Sequence, residues 1–295
     1  MCEKKTAGNI VISNERLSLE ISNPGTDYSG TRFDWNGFIT QAILDGRHSF
    51  CTRESLVEGE GTGGIGLCGE FGIDEALGYE DTLINDYFHK IGVGLLKKTA
   101  GRPYEFFGNY PHIQQTSSVV EEKDSVSFLT SVPLYNGYAY EYKKTISLFE
   151  NKARINYYLL NNGTKKISTT EYCHNFIGID HEKVDSSYCL KLPCNIAAEN
   201  TVGEINIDRD IISWPDKEMN SVFYCTVPNF TKNSGFSWDI YNNRAGAGVR
   251  ETDNFQVSRF ALWGYRHVIS PEAFVNIEIE PGESQTWTRE YEFYY

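Results

Sequence analysis

Regular alternation of apolar and polar residues is the feature that most constrains the fold of this sequence. The alternation recurs at positions 16–21, 125–130, 154–159 and 275–280. A period of two is typical of β-strands that bury one face. No stretch of about 12 residues combines a 3.6-residue period with helix caps, and we expect at most short helical turns around residues 75–77. The pattern therefore predicts an all-β protein with many antiparallel strands.

Turn sequences separate the alternating segments. Asn, Pro and Gly cluster at positions 136–137, 161–163 and 280–283, which is typical of the connections between strands. Asn162-Gly163 is the clearest candidate for a two-residue β-hairpin turn. Together the strands and turns favour a β-sandwich.

One glycine-rich segment stands out from an otherwise even composition. Residues 58–72 hold seven glycines and few β-branched residues. Loops of this length in compact domains are usually functional, so we expect a long loop beside a site. No polar linker divides the chain, and we predict a single domain over residues 1–295.

Charge and the N-terminal residues limit the expected partners and location. The chain has 27 Lys and Arg residues against 40 Asp and Glu residues, a net charge of −13, which disfavours a nucleic acid or an anionic membrane as partner. No apolar run reaches the roughly 18 residues that a membrane helix needs. Residues 1–5 are not followed by the apolar region of a secretion signal. We therefore expect a cytoplasmic protein, either a monomer or a homodimer.

Aromatic residues are frequent in this sequence. The chain has 19 Tyr, 17 Phe and 5 Trp residues, which make up 14 % of it. Aromatic side chains fit the half-buried faces of strands, and their π faces pack against the C–H faces of sugar rings. The composition therefore favours β structure and suits a carbohydrate ligand.

His174 is the first candidate for chemistry, near the end of a strand-like segment. An imidazole donates or accepts a proton near neutral pH without a large pKa shift. Glu171, three residues earlier, would reach the same ligand only if a β-bulge turned it to the face of His174. A Glu-x-x-His metal pair needs helical spacing, and His181 is not an obvious third ligand. We therefore predict no metal at this segment.

Glu272 is the second candidate. It lies between Pro271 and Phe274, directly before an apolar alternating run. Partial desolvation at such a position raises the pKa of a carboxyl group and makes it a better base. Glu272 is therefore a candidate general base, although the position also fits an ordinary carboxylate at the rim of a sheet.

Four further side chains are candidates for binding a polar ligand. Trp263 and His267 lie just upstream of Glu272 and predict a polar cleft there. His89 belongs to a segment with glycines at alternate positions, where a ligand can approach closely. The guanidinium of Arg32 can donate to two hydroxyl groups at once. Each of these residues fits a structural role as well.

The order and spacing of these residues resemble the aldose 1-epimerase (galactose mutarotase-like) superfamily. The resemblance rests on an early Gly-x-Arg segment at 30–32, on His174-Asn175-Phe176, and on a Glu-x-Phe strand at 272–274 that precedes a Pro-Gly-Glu turn. It covers most of the chain. The Leu-His-Gly-Gly segment of the common galactose mutarotases has only a loose counterpart at 88–92, so galactose specificity is not implied.

The resemblance implies a large antiparallel β-supersandwich and an enzyme that interconverts the anomers of an aldose or aldose derivative. It implies that Glu272 removes the proton of the anomeric hydroxyl while His174 protonates the ring oxygen, with no cofactor. It also implies that His89 and Arg32 bind the sugar and that Trp263 is its aromatic platform. Whether the sugar is neutral, phosphorylated or acidic stays open.

Two other functions fit the same residues. A carbohydrate-binding protein on this sandwich would hold the sugar by stacking and hydrogen bonds without proton transfer. A lyase or isomerase acting beside a carboxyl or keto group would use the same acid and base. For a mutarotase, we expect Glu272 and His174 to face each other across a gap one sugar ring wide, roughly 5 to 7 Å.

Overall fold

The structure is a computed structural model that describes residues 9–228 and 235–295. Residues 1–5, which bear on the expected location, lie outside these ranges. Within them the regular structure is almost entirely β, as predicted, with 23 strands and one turn of 3-10 helix at Ile179–His181. None of the helical structure in these ranges is long and apolar enough to span a membrane.

The strands are numbered here in chain order. The first twelve are β1 (Ile10–Ser13), β2 (Leu17–Ser22), β3 (Phe38–Leu44), β4 (His48–Ser49), β5 (Leu67–Phe71), β6 (Tyr87–Lys90), β7 (Gly94–Lys97), β8 (His112–Gln114), β9 (Ser117–Glu121), β10 (Ser125–Tyr135), β11 (Tyr138–Phe149) and β12 (Lys152–Asn161). The others are β13 (Ile167–Asn175), β14 (Tyr188–Lys191), β15 (Glu199–Val202), β16 (Asn206–Asp208), β17 (Ile211–Ser213), β18 (Phe223–Pro228), β19 (Ser237–Asn242), β20 (Ala247–Asp253), β21 (Val257–Tyr265), β22 (Val268–Ile279) and β23 (Ser284–Tyr294).

Most of these strands belong to two large sheets, and their pairings are antiparallel. The first sheet has the order β1-β2-β3-β5-β13-β22-β21-β18-β15, with β4 paired to β3. The second has the order β16-β17-β14-β19-β20-β23-β12-β11-β10-β9, and β6, β7 and β8 form a small third sheet. The pairings that define the site, β13 with β5 and with β22, are both antiparallel. The predicted all-β sandwich is confirmed.

A shared hydrophobic core joins the two large sheets. Cys173 and Ile277 of the first sheet belong to the same buried cluster as Ile155 and Trp287 of the second. The alternation in the sequence produces this arrangement, since every second residue of β12 is buried. Burial of apolar surface stabilises the sandwich by about 25 cal/mol for each Å² removed from water.

The predicted hairpin at Asn162-Gly163 is wrong. β12 ends just before these residues in the second sheet, and β13 begins after them in the first. The segment therefore carries the chain from one sheet to the other. The two-residue hairpin lies instead at Asn136-Gly137, which joins the paired strands β10 and β11 with positive φ values of 49° and 88°, as such turns require.

The glycine-rich segment is a shorter loop than expected. Its second half, Leu67–Phe71, is strand β5 in the first sheet. The carboxylate of Glu54 holds the remaining loop, because its Oε2 accepts hydrogen bonds from the backbone N–H of Thr62 at 2.6 Å and of Gly64 at 3.2 Å. This anchoring fixes the position of Thr62, which lines the cleft described below.

Two crossings between the sheets lie side by side. One follows β12, and the other leads from β22 into β23, which sits inside the second sheet between β20 and β12. The side-chain amide of Asn161 ties them together, because it donates to the carbonyl oxygens of Lys165 and Ile279, both at 2.9 Å. β13 therefore begins, and β22 ends, at a common fixed point, and the two strands pair antiparallel through the first sheet.

Candidate active site

An interruption in the β13–β22 ladder creates the candidate site. The two strands pair regularly as far as Tyr172 and Phe274. Pairing resumes only as an isolated bridge between Ile177 and Ile269. Pro271 lies in between, and a proline has no N–H to donate to a ladder. The backbone ladder is therefore open at the level of the two candidate catalytic residues.

The side chain of Asn175 fills the interruption. Its amide nitrogen donates to the carbonyl oxygen of Pro271 at 2.7 Å and to Oε2 of Glu251 at 3.1 Å. Its amide oxygen accepts from the hydroxyl of Tyr291 at 2.9 Å. Asn175 is fully buried, and successive residues of a strand point to opposite faces. The amide therefore connects the two strands on the face that is packed against the second sheet, and the side chain of His174 lies on the opposite face.

Glu272 and His174 meet on the open face of the interruption. Nε2 of His174 lies 3.3 Å from Oε1 of Glu272, and the two side chains are almost fully buried. The expected separation of one sugar-ring width is wrong, because the two groups are in direct contact. Ser270 joins them, since its Oγ lies 2.6 Å from Nδ1 of His174 and 3.2 Å from Oε1 of Glu272.

Burial shifts the pKa values of both groups. It raises the pKa of Glu272 to about 8, although the charge of Arg32 and the hydroxyl of Ser270 act in the opposite direction. Burial also lowers the pKa of His174 well below its ordinary value, and the nearby Arg32 charge adds to this effect. The rise that the sequence predicted for Glu272 is confirmed in direction and cause. Both groups are thus tuned toward their neutral forms.

The pair opens into a cleft of about 550 Å³, a size typical of small-molecule sites. Trp263 packs against the imidazole of His174, with the ring centroids 5.5 Å apart and the ring planes at 76°. Aromatic side chains supply much of the wall, namely Phe106, Phe107, Tyr172, Tyr224, Trp263 and Phe274. Such walls can pack against the C–H faces of a sugar ring.

Arg32 lies in the cleft as a fixed, buried cation. Its Nε donates to Oε2 of Glu70 at 2.8 Å and one terminal nitrogen donates to the hydroxyl of Tyr172 at 3.0 Å. The guanidinium lies between the rings of Phe33 and Phe106, each centroid 4.5 Å from its central carbon. The other terminal nitrogen donates to Oγ1 of Thr62 at 2.9 Å. These contacts fix the guanidinium plane and leave one N–H on each terminal nitrogen of Arg32 for hydroxyls of a ligand.

Glu70 holds Arg32 in place through a buried ion pair. Its other oxygen accepts from the ammonium of Lys90 at 3.1 Å, and both of these side chains are buried. Burial alone would raise the pKa of Glu70, but the charges of Lys90 and Arg32 lower it below its ordinary value. Glu70 is therefore ionised and holds the guanidinium in place.

Glu171 does not reach the cleft, and its prediction as a binding residue is wrong. Its strand has no bulge at this position, so Glu171 points to the interior between the sheets. There its Oε2 accepts from Arg289 at 2.7 Å and from the indole N–H of Trp287 at 3.0 Å. Glu171 therefore has a structural role between the two sheets.

His89 and His267 also lie outside the cleft. His89 is buried in β6, where Nε2 donates to the carbonyl of Tyr135 at 3.0 Å. His267 lies in the turn between β21 and β22, where Nε2 donates to the carbonyl of Arg53 at 2.9 Å. The expectation that these two histidines line the cleft with His174 is wrong, whereas Arg32 and Trp263 do line it.

Several residues of the site were not identified from the sequence. Ser270 and Phe274 lie two residues on either side of Glu272, and Tyr172 lies two residues before His174. The period of two places each pair on one face, so this signal was available. No comparable signal connects Phe106 to the site, because its loop has no regular pattern. Among the described residues, no three His, Cys, Asp or Glu side chains form a group that could hold a metal ion.

Comparison with known proteins identifies the fold. No family model matches the sequence, and no curated protein matches it. Among solved structures, the Slr1438 protein from Synechocystis sp. PCC 6803 matches with a TM-score of 0.61 and 11 % identity, over 100 % of this chain and 98 % of that one. A putative aldose 1-epimerase from Escherichia coli K12 matches with a TM-score of 0.59 and 12 % identity, over 97 % and 99 %.

A third similar structure is a galactose mutarotase-like protein from Lactobacillus casei ATCC 334. It has a TM-score of 0.54 and 12 % identity, over 97 % of this chain and 100 % of that one. At this level of identity the likeness concerns the fold. The chain thus has the galactose mutarotase-like β-sandwich fold that the resemblance implied.

Proposed function

We propose that this protein is a sugar isomerase of the mutarotase type, which interconverts the anomers of an aldose or aldose derivative. The observation that carries the proposal is the 3.3 Å contact between Glu272 and His174 in a cleft with aromatic walls. The shared fold with a putative aldose 1-epimerase is a separate support.

The reaction opens and closes the sugar ring by two proton transfers. Ionised Glu272 takes the proton of the anomeric hydroxyl, the bond from C1 to the ring oxygen breaks, and protonated His174 gives its proton to that oxygen. Rotation about the C1–C2 bond turns the free aldehyde. The reverse transfers then close the ring as the other anomer and return both protons to their starting groups.

Direct contact between the acid and the base suits this chemistry. The anomeric hydroxyl oxygen and the ring oxygen are bonded to the same carbon, so they are neighbours in the substrate. A base and an acid that lie side by side can therefore reach both oxygens. Glu272 and His174 meet this requirement at 3.3 Å, whereas groups on opposite sides of a whole ring would not be needed.

The pair shares one proton at neutral pH. In the free protein burial places this proton on Glu272, whose pKa is raised to about 8, and keeps His174 neutral. Catalysis uses the other arrangement, in which His174 holds the proton and Glu272 is ionised, with the same total number of protons. Ser270 supports that form, because its Oγ accepts from Nδ1–H of His174 while its O–H donates to the carboxylate.

Arg32 and Trp263 have binding roles in this proposal. The N–H groups of Arg32 that its protein partners leave available donate to sugar hydroxyls, and Glu70 keeps the guanidinium in one orientation. Trp263 offers an aromatic surface next to His174. Both residues would orient the anomeric carbon toward the acid and the base.

Proton NMR of anomeric exchange tests the proposal directly. Saturation transfer between the two anomeric signals is measured with and without protein for galactose, glucose, their 6-phosphates, and uronic and deoxy sugars. Faster exchange for any of them supports the mutarotase. Line broadening without faster exchange supports a carbohydrate-binding protein instead, and new vinylic proton signals support a lyase. The absence of all three effects contradicts the proposal.

A further inference from the structure

A second cavity continues the cleft along the same two strands. It has a volume of about 460 Å³, and Asp74 lines both spaces. The cleft ends at Phe274 and Tyr172, which are paired across β13 and β22 and stack at a ring-centroid distance of 4.4 Å. The second cavity begins beyond this aromatic pair.

Polar cross-strand pairs line the second cavity. Thr170 pairs with Asn276, and Ser168 pairs with Glu278, and all four residues line the cavity. Because residues two apart lie on one face, these pairs share the face of His174. Ser168 is six residues from His174 along the strand, roughly 20 Å at about 3.3 Å per residue. The combined groove is several times longer than one sugar ring.

The boundary between the two spaces is a weak one. It includes the ion pair of Arg259 with Asp74, at 3.0 Å, and 38 % and 66 % of these side chains are exposed. Exposed ion pairs contribute about 0 to 1 kcal/mol. A ligand that extends from the cleft can therefore displace this pair.

The charges around the second cavity restrict the ligand. Of the six charged residues that line it, one is basic, Lys166, and five are acidic, namely Asp74, Glu75, Glu80, Asp81 and Glu278. The ammonium of Lys166 is itself paired with Glu278 at 3.1 Å and with Glu280 at 3.0 Å. Carboxylates accept hydrogen bonds from hydroxyl groups and repel phosphate or uronate. The lining suits a neutral, hydroxyl-rich chain.

The far end of the groove holds an acceptor without a donor. A third cavity of about 200 Å³ shares Gly78 and Tyr138 with the second and is also lined by His89. Nε2 of His89 donates to the protein, so Nδ1 is the acceptor of this neutral imidazole. Among the described residues Nδ1 has no hydrogen-bond partner. Buried polar atoms normally have one. Because Nδ1 has almost no accessible surface, a ligand hydroxyl in the third cavity would reach it only after a shift of the His89 ring.

We infer that the substrate is a neutral reducing oligosaccharide, with its reducing unit in the cleft and its following units along the second cavity. The inference rests on the proposed function, because the anomeric hydroxyl of the reducing unit is what meets Glu272 and His174. It assigns the pairs Thr170–Asn276 and Ser168–Glu278 to the binding of the following units.

The test compares sugars of one, two and three units and blocks the groove at two positions along its length. Anomeric exchange is measured for glucose, maltose, cellobiose, lactose, maltotriose and cellotriose, and the binding of each sugar is measured by titration calorimetry. Asn276→Trp places an indole near the cleft, and Ser168→Trp places one farther along. Asn206→Trp is the matched control, because Asn206 is an exposed strand residue of the other sheet.

We expect at least one trisaccharide to exceed glucose at least tenfold in kcat/KM. Asn276→Trp should lower the ratio of kcat/KM for the trisaccharide to kcat/KM for glucose at least tenfold. Ser168→Trp should lower the ratio of trisaccharide to glucose more than the ratio of disaccharide to glucose. Asn206→Trp should leave both ratios unchanged. Equal ratios in all variants, with exchange of glucose still accelerated, would overturn the inference and leave the proposed function standing. If no sugar is turned over, trisaccharide binding that Asn276→Trp abolishes supports the groove, and the absence of binding overturns it.

Discussion

The side-chain amide nitrogen of Asn175 lies 2.7 Å from the carbonyl oxygen of Pro271. This hydrogen bond crosses from β13 to β22 where the backbone ladder is interrupted. The residues next to it in sequence are His174 and Glu272, so the spacing of the proposed acid and base depends on one buried amide. At this point the side chain of Asn175 connects the two strands, as backbone hydrogen bonds do elsewhere in the sheet, and it can be tested by substitution.

Replacement of Asn175 by Ala should lower kcat at least tenfold with little change in KM, because the acid and base lose their fixed spacing. It should also lower the free energy of unfolding by about 1 to 3 kcal/mol, since buried partners are left unsatisfied. Asn242→Ala removes another buried amide with several hydrogen bonds and should destabilise the fold without changing kcat. A normal kcat in Asn175→Ala would show that the amide is only structural.

Glu272→Gln should lower turnover at least about a hundredfold while sugar binding stays largely intact, as expected for the loss of a general base. His174→Asn should have a similar effect through loss of the general acid. Exchange NMR measures turnover and calorimetry measures binding. Glu121→Gln and His112→Asn are matched controls on exposed strand residues. Full activity in either of the first two variants would remove that residue from the mechanism.

The pH profile should show a falling limb near pH 8. The active form has one proton on the pair of Glu272 and His174, and this proton is lost as the pH rises through about 8. We therefore expect kcat/KM to be level near neutrality and to decline tenfold per pH unit above pH 8. Rates at constant ionic strength from pH 5 to 10 check this. A rate that rises through pH 8 would mean that only ionisation of Glu272 is required.

Ser270→Ala should move the alkaline limb to higher pH. The Ser270 hydroxyl donates to Glu272 and lowers its pKa against the larger effect of burial. Without the hydroxyl, the carboxyl group holds its proton more tightly. The pH profile of kcat/KM, compared with that of the exposed-strand control Ser118→Ala, measures the shift. A limb that stays in place or moves to lower pH would contradict the hydrogen bond.

Stability should report the burial of Glu272 independently of activity. Its pKa of about 8 in the folded protein lies above the ordinary value of 4.5. The folded state thus holds the proton more tightly, and stability is lost as the pH rises from about 4.5 through 8. Glu272→Gln cannot acquire this charge, so its free energy of unfolding should fall less between pH 5 and pH 9 than that of the wild type. We expect the difference between the two falls to be at least about 1.4 kcal/mol, the equivalent of one pKa unit. Urea unfolding at the two pH values measures this difference.

The sequence predicted those parts of the site that depend on local periodicity. The all-β class follows from alternation, and His174 and Glu272 stand out by their chemistry within such strands. Arg32 and Trp263 line the same cleft as these two residues, and their roles in binding stay predictions. The same periodicity argued that Glu171 faces away unless a bulge intervenes, and the strand has no bulge there.

Other parts depend on contacts between distant segments. The approach of Glu70 to Arg32 requires β5 to enter the first sheet beside β13, which no local pattern shows. Asn162-Gly163 has the composition of a hairpin turn, but composition does not determine which sheet the next strand joins. The 3.3 Å separation of Glu272 from His174 depends in turn on the ladder interruption, which required knowing that β13 pairs with β22.

The position of β23 has a consequence for the order in which the protein forms during translation. This strand, Ser284–Tyr294, lies between β20 and β12 inside the second sheet. Until these residues leave the ribosome, β12 and β20 each lack the neighbour that completes their hydrogen bonding. The nascent chain must therefore carry the open edge of β12 from Asn161 onward, and that of β20 from Asp253 onward, until β23 has been made. Open edges of this kind favour pairing with other chains. Chaperone binding to ribosome-bound chains that stop before Ser284 should accordingly be stronger than to chains that extend past Tyr294.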